Sequence, residues 1–376
     1  MFVCNHCVND KDIKEFILEK GEESECSYCT KTCTPVRTRI VAFEGFIEFF
    51  LEHISNEYGD PLDDLVDKDD GKSFGIEELL ADYGIDLTDN NDLFDAVCES
   101  LSDRSWCEKP YYMPELSEAL CFDWNQFVDV VKHKSRYVFY RRNDDYYADA
   151  VSPHKFLEEL SNVIKSTELY TTIKKGTFFY RVRIHDKSKK LTKATELGTP
   201  EIKYAKYSNR MSPAGIPMFY GAFDIGTAIK ETFDSNNDIG KTATVAKFKL
   251  LNDITLIDFS KPLITPSLFQ DHGYSHQEVT FINGFISDIT KPISKDGYEH
   301  IEYVPTQIVT EHFRYAHKDE NYGKILGLIY PSSKNIGKNS VVIFCENDCF
   351  CEKEKPSATS LFELEKPTRR INPTKY

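Results

Sequence analysis

The spacing of apolar residues changes near Lys175, and this change limits the folds that the 376-residue chain can adopt. Before Lys175, apolar side chains recur at helical spacing, most clearly from Arg37 to Tyr58. Further helices are predicted at 76–83, 92–101, 115–133 and from Ser152-Pro153, where serine can cap the first turn. We therefore expect a mostly α-helical domain over residues 37–170.

After Lys175, short runs rich in β-branched and aromatic residues predict strands. The predicted strands are 177–184, 217–222, 243–251, 254–259, 325–330 and 340–345. Helical patterns fall at 225–233, 277–289 and 306–317. This order predicts an α+β domain over residues 171–350 with a mixed or mostly antiparallel sheet. Three prolines interrupt charged stretches in residues 351–376, which predicts an extended or mobile tail.

Two cysteine pairs stand at the start of the chain, Cys4-x2-Cys7 and Cys26-x2-Cys29, separated by 18 residues. Two such knuckles can each offer two thiolates to one tetrahedral zinc ion, which replaces the core that residues 1–36 are too few to build. A site closed by four sulfurs is structural rather than catalytic. Cys33 is then spare, and the alternative is a set of unligated thiols.

The net charge of −15 is unevenly distributed along the chain. Residues 41–130 hold 24 acidic and 4 basic side chains, whereas residues 171–210 hold 3 acidic and 11 basic ones. A basic segment in an acidic protein favours a local site for phosphates, although a solvated charged face is the alternative. Because the chain has no apolar run of about 18 residues and no export signal at its start, we expect a cytoplasmic protein without a membrane partner.

Four short motifs follow one another in the second half of the chain. The first is Tyr180-Arg181 on a predicted strand, and the second is Arg210-x-x-Pro-x-Gly, which precedes a strand that carries Tyr220. The third is Thr-Ala-x-x-Glu231 on a predicted helix, and the fourth is Pro-Ser332 after a later strand. Each motif alone is weak, but their order resembles that of the RES domain. A competing match for the Pro-Ser motif is Pro305-Thr306.

The resemblance implies a fold similar to that of ADP-ribosyltransferase toxins, with NAD as the substrate. Its functional residues would be Arg181, Tyr220, Glu231 and Ser332. Arginine forks suit a pyrophosphate, so Arg181, Arg183 and Arg210 are candidate NAD ligands, and Tyr220 would stack on nicotinamide. Glu231 would stabilise an oxocarbenium-like state at the ribose. Ser332 would orient the nicotinamide or the ribose.

The resemblance also implies NAD hydrolysis, phosphorolysis or ADP-ribosyl transfer, as in bacterial toxins and antiphage effectors. The first half is similar to the HEPN/RES N-terminal domain. The ribonuclease pairing of some HEPN domains is missing, because Arg141 and Arg142 lie too far before His154. The alternative is a non-catalytic nucleotide-binding regulator whose zinc module recognises a protein or nucleic-acid trigger. A protein trigger, an antitoxin and a homo-oligomer are possible partners.

Weaker candidates are three cysteines near the end of the chain and two histidines before a predicted helix. Cys345, Cys349 and Cys351 could add metal ligands, but their unequal spacing favours an incidental grouping. His272 and His276 are better explained as ordinary loop histidines.

Overall fold

The structure is a computed structural model, and it describes residues 1–29, 38–59, 73–85, 87, 91–108, 116–138, 152–263, 266–269, 274–293 and 297–375. Its contacts divide the chain into two compact units. The first is Met1–Ala119 with Leu263–Phe281, and the second is Leu120–Pro262 with Ile282–Tyr376. The predicted domain boundary between residues 170 and 171 therefore does not coincide with the division by contacts.

The first unit contains a small antiparallel sheet and a helical layer. The strands are β1 (Phe2–Cys4), β2 (Glu22–Ser24) and β3 (Thr38–Ala42), with β3 in the middle. A two-stranded ribbon joins β4 (Tyr58–Gly59) to β5 (Cys107–Glu108). The helices are α1 (Lys11–Lys20), α2 (Phe43–Glu57), α3 (Ile76–Asp82) and α4 (Asn91–Leu101). Phe46, Phe50 and Trp106 are fully buried in its core.

The helix predicted from Arg37 to Tyr58 begins later than the sequence indicates. Arg37 lies outside the described residues, and Thr38–Ala42 form β3, which pairs with both β1 and β2. The β-branched residues Thr38, Ile40 and Val41 favour this pairing. The helix itself starts at Phe43. The helices predicted at 76–83 and 92–101 are present as α3 and α4.

The second unit is built around a nine-stranded sheet with the order β13-β14-β9-β7-β8-β12-β11-β10-β6. Its strands are β6 (Tyr170–Ile173), β7 (Phe178–His185), β8 (Phe219–Ala222), β9 (Thr242–Leu250), β10 (Ile254–Asp258), β11 (Ile325–Pro331), β12 (Asn339–Ile343), β13 (Phe350–Glu352) and β14 (Phe362–Ile371). The pairs β10 with β11 and β13 with β14 are parallel, and the other pairs are antiparallel. The prediction of an α+β unit with a mixed sheet is confirmed.

The described helices that follow in the chain are α5 (Leu116–Asp129), α6 (Pro153–Ser166), α7 (Ala194–Leu197), α8 (Ile225–Thr232), α9 (His276–Thr290), α10 (Glu299–Glu302) and α11 (Val304–Tyr315). Of these, α7, α8 and α11 pack against the sheet. A π-helical turn at Val130–Lys134 continues α5. Residues of α5 before Leu120 and of α9 before Ile282 belong to the first unit. Ser152 caps α6 as predicted, since its hydroxyl accepts from the Lys155 amide. In the described ranges, no helix combines the length and apolarity that a bilayer span requires.

The prediction of a mobile tail is wrong for most of residues 351–376. The strand β14 pairs with β9, and its Phe362 is fully buried against Phe248 and Phe350. The register shifts between Glu365 and Arg369, around Pro367. Because proline cannot donate to a ladder, a bulge lets the strand continue past it.

Candidate functional site

A cavity of about 1400 Å³ opens in the second unit beside the strands β7 and β8. Its wall includes five residues predicted from the sequence, namely Arg181, Arg183, Arg210, Tyr220 and Glu231. Ser332 is not on the wall, although its neighbours Pro331 and Ser333 are. The fold therefore brings residues that are up to 50 positions apart in the sequence to one concave surface.

Arg181 lies on β7 with its side chain 7% exposed. Its Nη1 donates to the Tyr220 carbonyl oxygen at 3.0 Å, and its guanidinium lies 5.1 Å from the Phe219 ring centre. Its Nε is buried and has no hydrogen-bond partner. Burial is the main cause that lowers the pKa of Arg181 well below its ordinary value, and the positive charge of the nearby Arg183 lowers it further. This is a buried cation whose donors are only partly satisfied.

Arg183 lies two residues along β7, on the same face of the sheet. Its Nη2 donates to the Gly198 carbonyl oxygen at 2.6 Å, and its buried Nε also lacks a partner. Burial lowers the pKa of Arg183 to about 10. Among the described residues, no carboxylate lies within ion-pair distance of either arginine. Two uncompensated cations on one wall favour an anionic ligand, because burying an unpaired charge is costly.

Arg210 is held differently from the other two arginines. Its Nη1 donates to the Ile289 carbonyl oxygen at 2.7 Å, and its Nη2 donates to the carbonyl oxygen of Lys291. A cation at the end of α9 also complements the helix dipole. Burial lowers the pKa of Arg210. Its guanidinium therefore caps a helix at the cavity wall and has fewer donors left for a ligand.

Tyr220 lies on β8, opposite Val342 of β12. Its hydroxyl is 2.9 Å from Ser212 Oγ, which fixes the ring at the cavity wall. Burial raises the pKa of Tyr220 to about 12, so the phenol stays neutral at physiological pH. Five more tyrosines line the same cavity, and none of them was a predicted site residue, namely Tyr180, Tyr204, Tyr207, Tyr303 and Tyr330. In the sequence, Tyr180 directly precedes Arg181 and Tyr330 directly precedes the Pro-Ser332 motif. This proximity to the motifs is the only sequence signal that could have indicated them.

Glu231 lies near the end of α8, and its carboxylate oxygen Oε1 accepts a hydrogen bond from the Ser332 hydroxyl. Ser332 is 5% exposed and follows β11 directly. The competing candidate, Thr306, is buried at the start of α11. Its hydroxyl lies near the carbonyl oxygens of Arg210 and Tyr303. Ser332 is thus the hydroxyl residue that contacts Glu231, whereas Thr306 supports the segment that carries Arg210.

The four predicted cysteine ligands, Cys4, Cys7, Cys26 and Cys29, come together in the first unit. The sulfur of Cys7 lies 3.7, 3.5 and 3.5 Å from those of Cys4, Cys26 and Cys29. A tetrahedral ion with bonds of about 2.3 Å to sulfur sets its ligands about 3.8 Å apart. In the part of the chain that the structure describes, this is the only group of three or more such side chains arranged to hold a metal.

The remaining candidates contribute less. Cys345, Cys349 and Cys351 form no metal-binding group among the described residues, and Cys345 is buried in the sheet core. His276 opens α9, and its Nε2 lies 3.6 Å from Asp82 in the first unit. Cys33, His272, Arg141 and Arg142 lie outside the described residues.

Comparison with protein families identifies both parts of the chain. The model of the RES domain matches residues 179–364, and the model of HEPN/RES N-terminal domain 1 matches residues 19–145. The RES match includes Arg181, Tyr220, Glu231 and Ser332, and it extends past residue 350 into β14. No curated protein and no solved structure matches the chain.

Proposed function

Because the chain is a RES domain protein with a HEPN/RES N-terminal domain, we propose that its cavity binds NAD and cleaves the bond between nicotinamide and ribose. The observation that carries this proposal is the pair of arginines on the same cavity wall as Glu231, the buried Arg181 and the half-buried Arg183, neither of which has an ion-pair partner among the described residues. A pyrophosphate in the cavity would supply the negative charge that compensates the two guanidinium groups. The proposed fold similarity to ADP-ribosyltransferases agrees with this use of the cavity.

The chemistry follows from where the side chains stand. The pyrophosphate would lie against Arg181 and Arg183, and the nicotinamide ring would stack on Tyr220. When the glycosidic bond breaks, its electron pair leaves with nicotinamide and positive charge develops on the ribose. The Glu231 carboxylate would stabilise that charge, as carboxylates do in glycoside transfer. An incoming oxygen nucleophile then bonds to the anomeric carbon and releases its proton to solvent.

The nucleophile defines the product. Water gives ADP-ribose, phosphate gives a phosphorylated ADP-ribose, and a macromolecule becomes ADP-ribosylated. Each reaction depletes NAD, so the protein would act as a toxin or an antiphage effector. A protein partner that binds the first unit or the cavity would then control this activity, as a trigger or as an antitoxin.

The test is to incubate the purified protein with NAD, with and without phosphate and with cell lysate, and to identify the products by mass spectrometry. We expect nicotinamide to be released by the wild-type protein and not by Glu231→Gln protein prepared in the same way. If NAD raises the melting temperature but is never consumed, the alternative of a nucleotide-binding regulator takes precedence. If NAD is neither bound nor consumed, the proposal is wrong.

We assign the four-cysteine site to structural zinc. Replacing Cys26 with serine is expected to remove the metal and to unfold much of the first unit, because the ion organises a sheet of only three short strands. Elemental analysis should find about one zinc per wild-type chain and much less in the variant, whose melting temperature should fall. The matched control is Cys98→Ala, since Cys98 is buried in the same unit outside the tetrad. A Cys26→Ser protein that keeps its metal would contradict the assignment.

A further inference from the structure

The loop at residues 332–338, which follows β11, is fastened to helix α8 by the side chain of Asn335. The Asn335 Nδ2 donates to Thr227 Oγ1 at 2.7 Å, and its Oδ1 accepts from Lys230 Nζ at 2.9 Å. Thr227 and Lys230 are three residues apart, so they lie on one face of the helix. One amide therefore links the loop to the helix that carries Glu231.

The hydrogen bonds around Thr227 determine which atoms donate and which accept in this link. Thr227 Oγ1 gives its only proton to the Asp224 carboxylate at 2.7 Å, and Asp224 also caps α8 by accepting from the Thr227 amide. Thr227 can therefore only accept from Asn335. This fixes the orientation of the Asn335 amide, with its NH2 group on Thr227 and its oxygen on Lys230.

The backbone of Asn335 acts on Ser332. The Asn335 amide N–H donates to Ser332 Oγ at 3.0 Å, and the loop is closed by bonds between Ser332 and Lys338 at 2.8 Å and between Lys338 and Asn335 at 3.0 Å. With its oxygen accepting from Asn335, the hydroxyl of Ser332 directs its proton to Glu231 Oε1. The three residues thus form one chain of hydrogen bonds that ends on the carboxylate.

We infer that Asn335 is a positioning residue for the reaction proposed above, on which this inference rests. It holds the Ser332 hydroxyl as a donor to one oxygen of Glu231, which leaves the other oxygen for the ribose. Without the Asn335 side chain the loop loses its bonds to Thr227 and Lys230, and only the bonds of Ser332 and Lys334 to Glu231 still link it to α8 among the described residues. The carboxylate then samples orientations that do not face the substrate, so turnover falls while substrate binding by Arg181 and Arg183 stays intact.

The kinetic test compares Asn335→Ala, Ser332→Ala and the double variant. We expect Asn335→Ala to lower kcat by about 10-fold or more with KM changed less than about twofold. Because Asn335 acts through Ser332, the double variant should be no slower than Ser332→Ala alone. The matched control is Asn339→Ala, because Asn339 directly follows the loop as the first residue of β12 and its amide bonds Ser260 instead of α8. The inference would be overturned if the losses of kcat in the two single variants add up in the double variant. It would also be overturned if Asn339→Ala lowered kcat as much as Asn335→Ala does.

A second measurement does not depend on turnover. Hydrogen exchange in peptides covering 332–338 should be faster in Asn335→Ala than in wild type and in Asn339→Ala, because the Asn335 side chain makes two bonds to α8 and the Asn339 side chain bonds Ser260 instead. Unchanged exchange would overturn the inference even if NAD is consumed. If exchange is faster in Asn335→Ala but the wild-type protein never consumes NAD, the proposed function is overturned, and with it the catalytic role of Asn335, while its link to α8 still stands.

Discussion

Replacing Glu231 with glutamine is expected to lower kcat for NAD cleavage by about 1000-fold, with KM changed less than about threefold. The amide keeps the shape of the side chain and can still accept from Ser332, but it carries no charge. The carboxylate interacts more strongly with the oxocarbenium-like state than with bound NAD, so its loss affects the chemical step and spares binding. Initial rates of nicotinamide release over a range of NAD concentrations separate kcat from KM.

The matched control for this variant is Glu201→Gln. Glu201 lines the same cavity, but its carboxylate is paired with Lys203 at 2.7 Å. Removing its charge should leave kcat within about twofold of wild type, since an exposed ion pair contributes little. Equal losses in both variants would mean that the cavity needs negative charge in general. Full activity in Glu231→Gln would remove this residue from the mechanism.

The regular elements of both units were predictable where one period of apolar residues runs without interruption. The strands β7, β9 and β12 and the helices α3, α4 and α11 lie within a few residues of the predicted ranges. Such strands bury one face and such helices bury one stripe of side chains, so the spacing of apolar residues in the sequence matches the pattern of burial. Their order, with the change near Lys175, was enough to predict the fold class.

Two parts of the fold were not predictable for opposite reasons. The strand β14 contains Pro367 and three basic residues, so its sequence is typical of an extended tail. Its pairing with β9 and the burial of Phe362 stabilise it as a strand. The sheet of the first unit has strands as short as three residues, which carry too little pattern to detect. In both cases long-range contacts override the local signal.

The motifs predicted five residues that line one cavity, but not the contacts that these residues make. The motif order indicated Arg210 as a phosphate ligand, whereas its guanidinium caps α9, whose last residue is about 80 positions away in the sequence. Ser332 was expected to orient the nicotinamide or the ribose, and its hydrogen bond to Glu231 was not predicted. Asn335 carried no motif signal at all. Roles of this kind depend on which loops meet, and local sequence does not encode that.

Replacing Arg181 with methionine is expected to raise KM for NAD by about 30-fold or more, because a charge-assisted hydrogen bond contributes about 2 kcal/mol or more. The same change should leave the ligand-free protein as stable as wild type or more stable. Arg181 is buried, and in the part of the chain that the structure describes it has no carboxylate partner and its Nε has no acceptor, so it costs desolvation energy that methionine does not. Initial rates over a range of NAD concentrations measure KM, and thermal unfolding without NAD measures the stability of the ligand-free protein.

Opposite signs in the two measurements distinguish a ligand-binding arginine from a structural one. A structural arginine would lower the melting temperature when replaced, through loss of its bond to the Tyr220 carbonyl. The matched control is Arg314→Met, since Arg314 is half-buried, has an unpartnered Nη1 and lies away from the cavity wall. Its KM should stay within about twofold of wild type, since it offers no donor to the pyrophosphate. If Arg181→Met destabilises the protein and leaves KM unchanged, the pyrophosphate does not bind at this arginine.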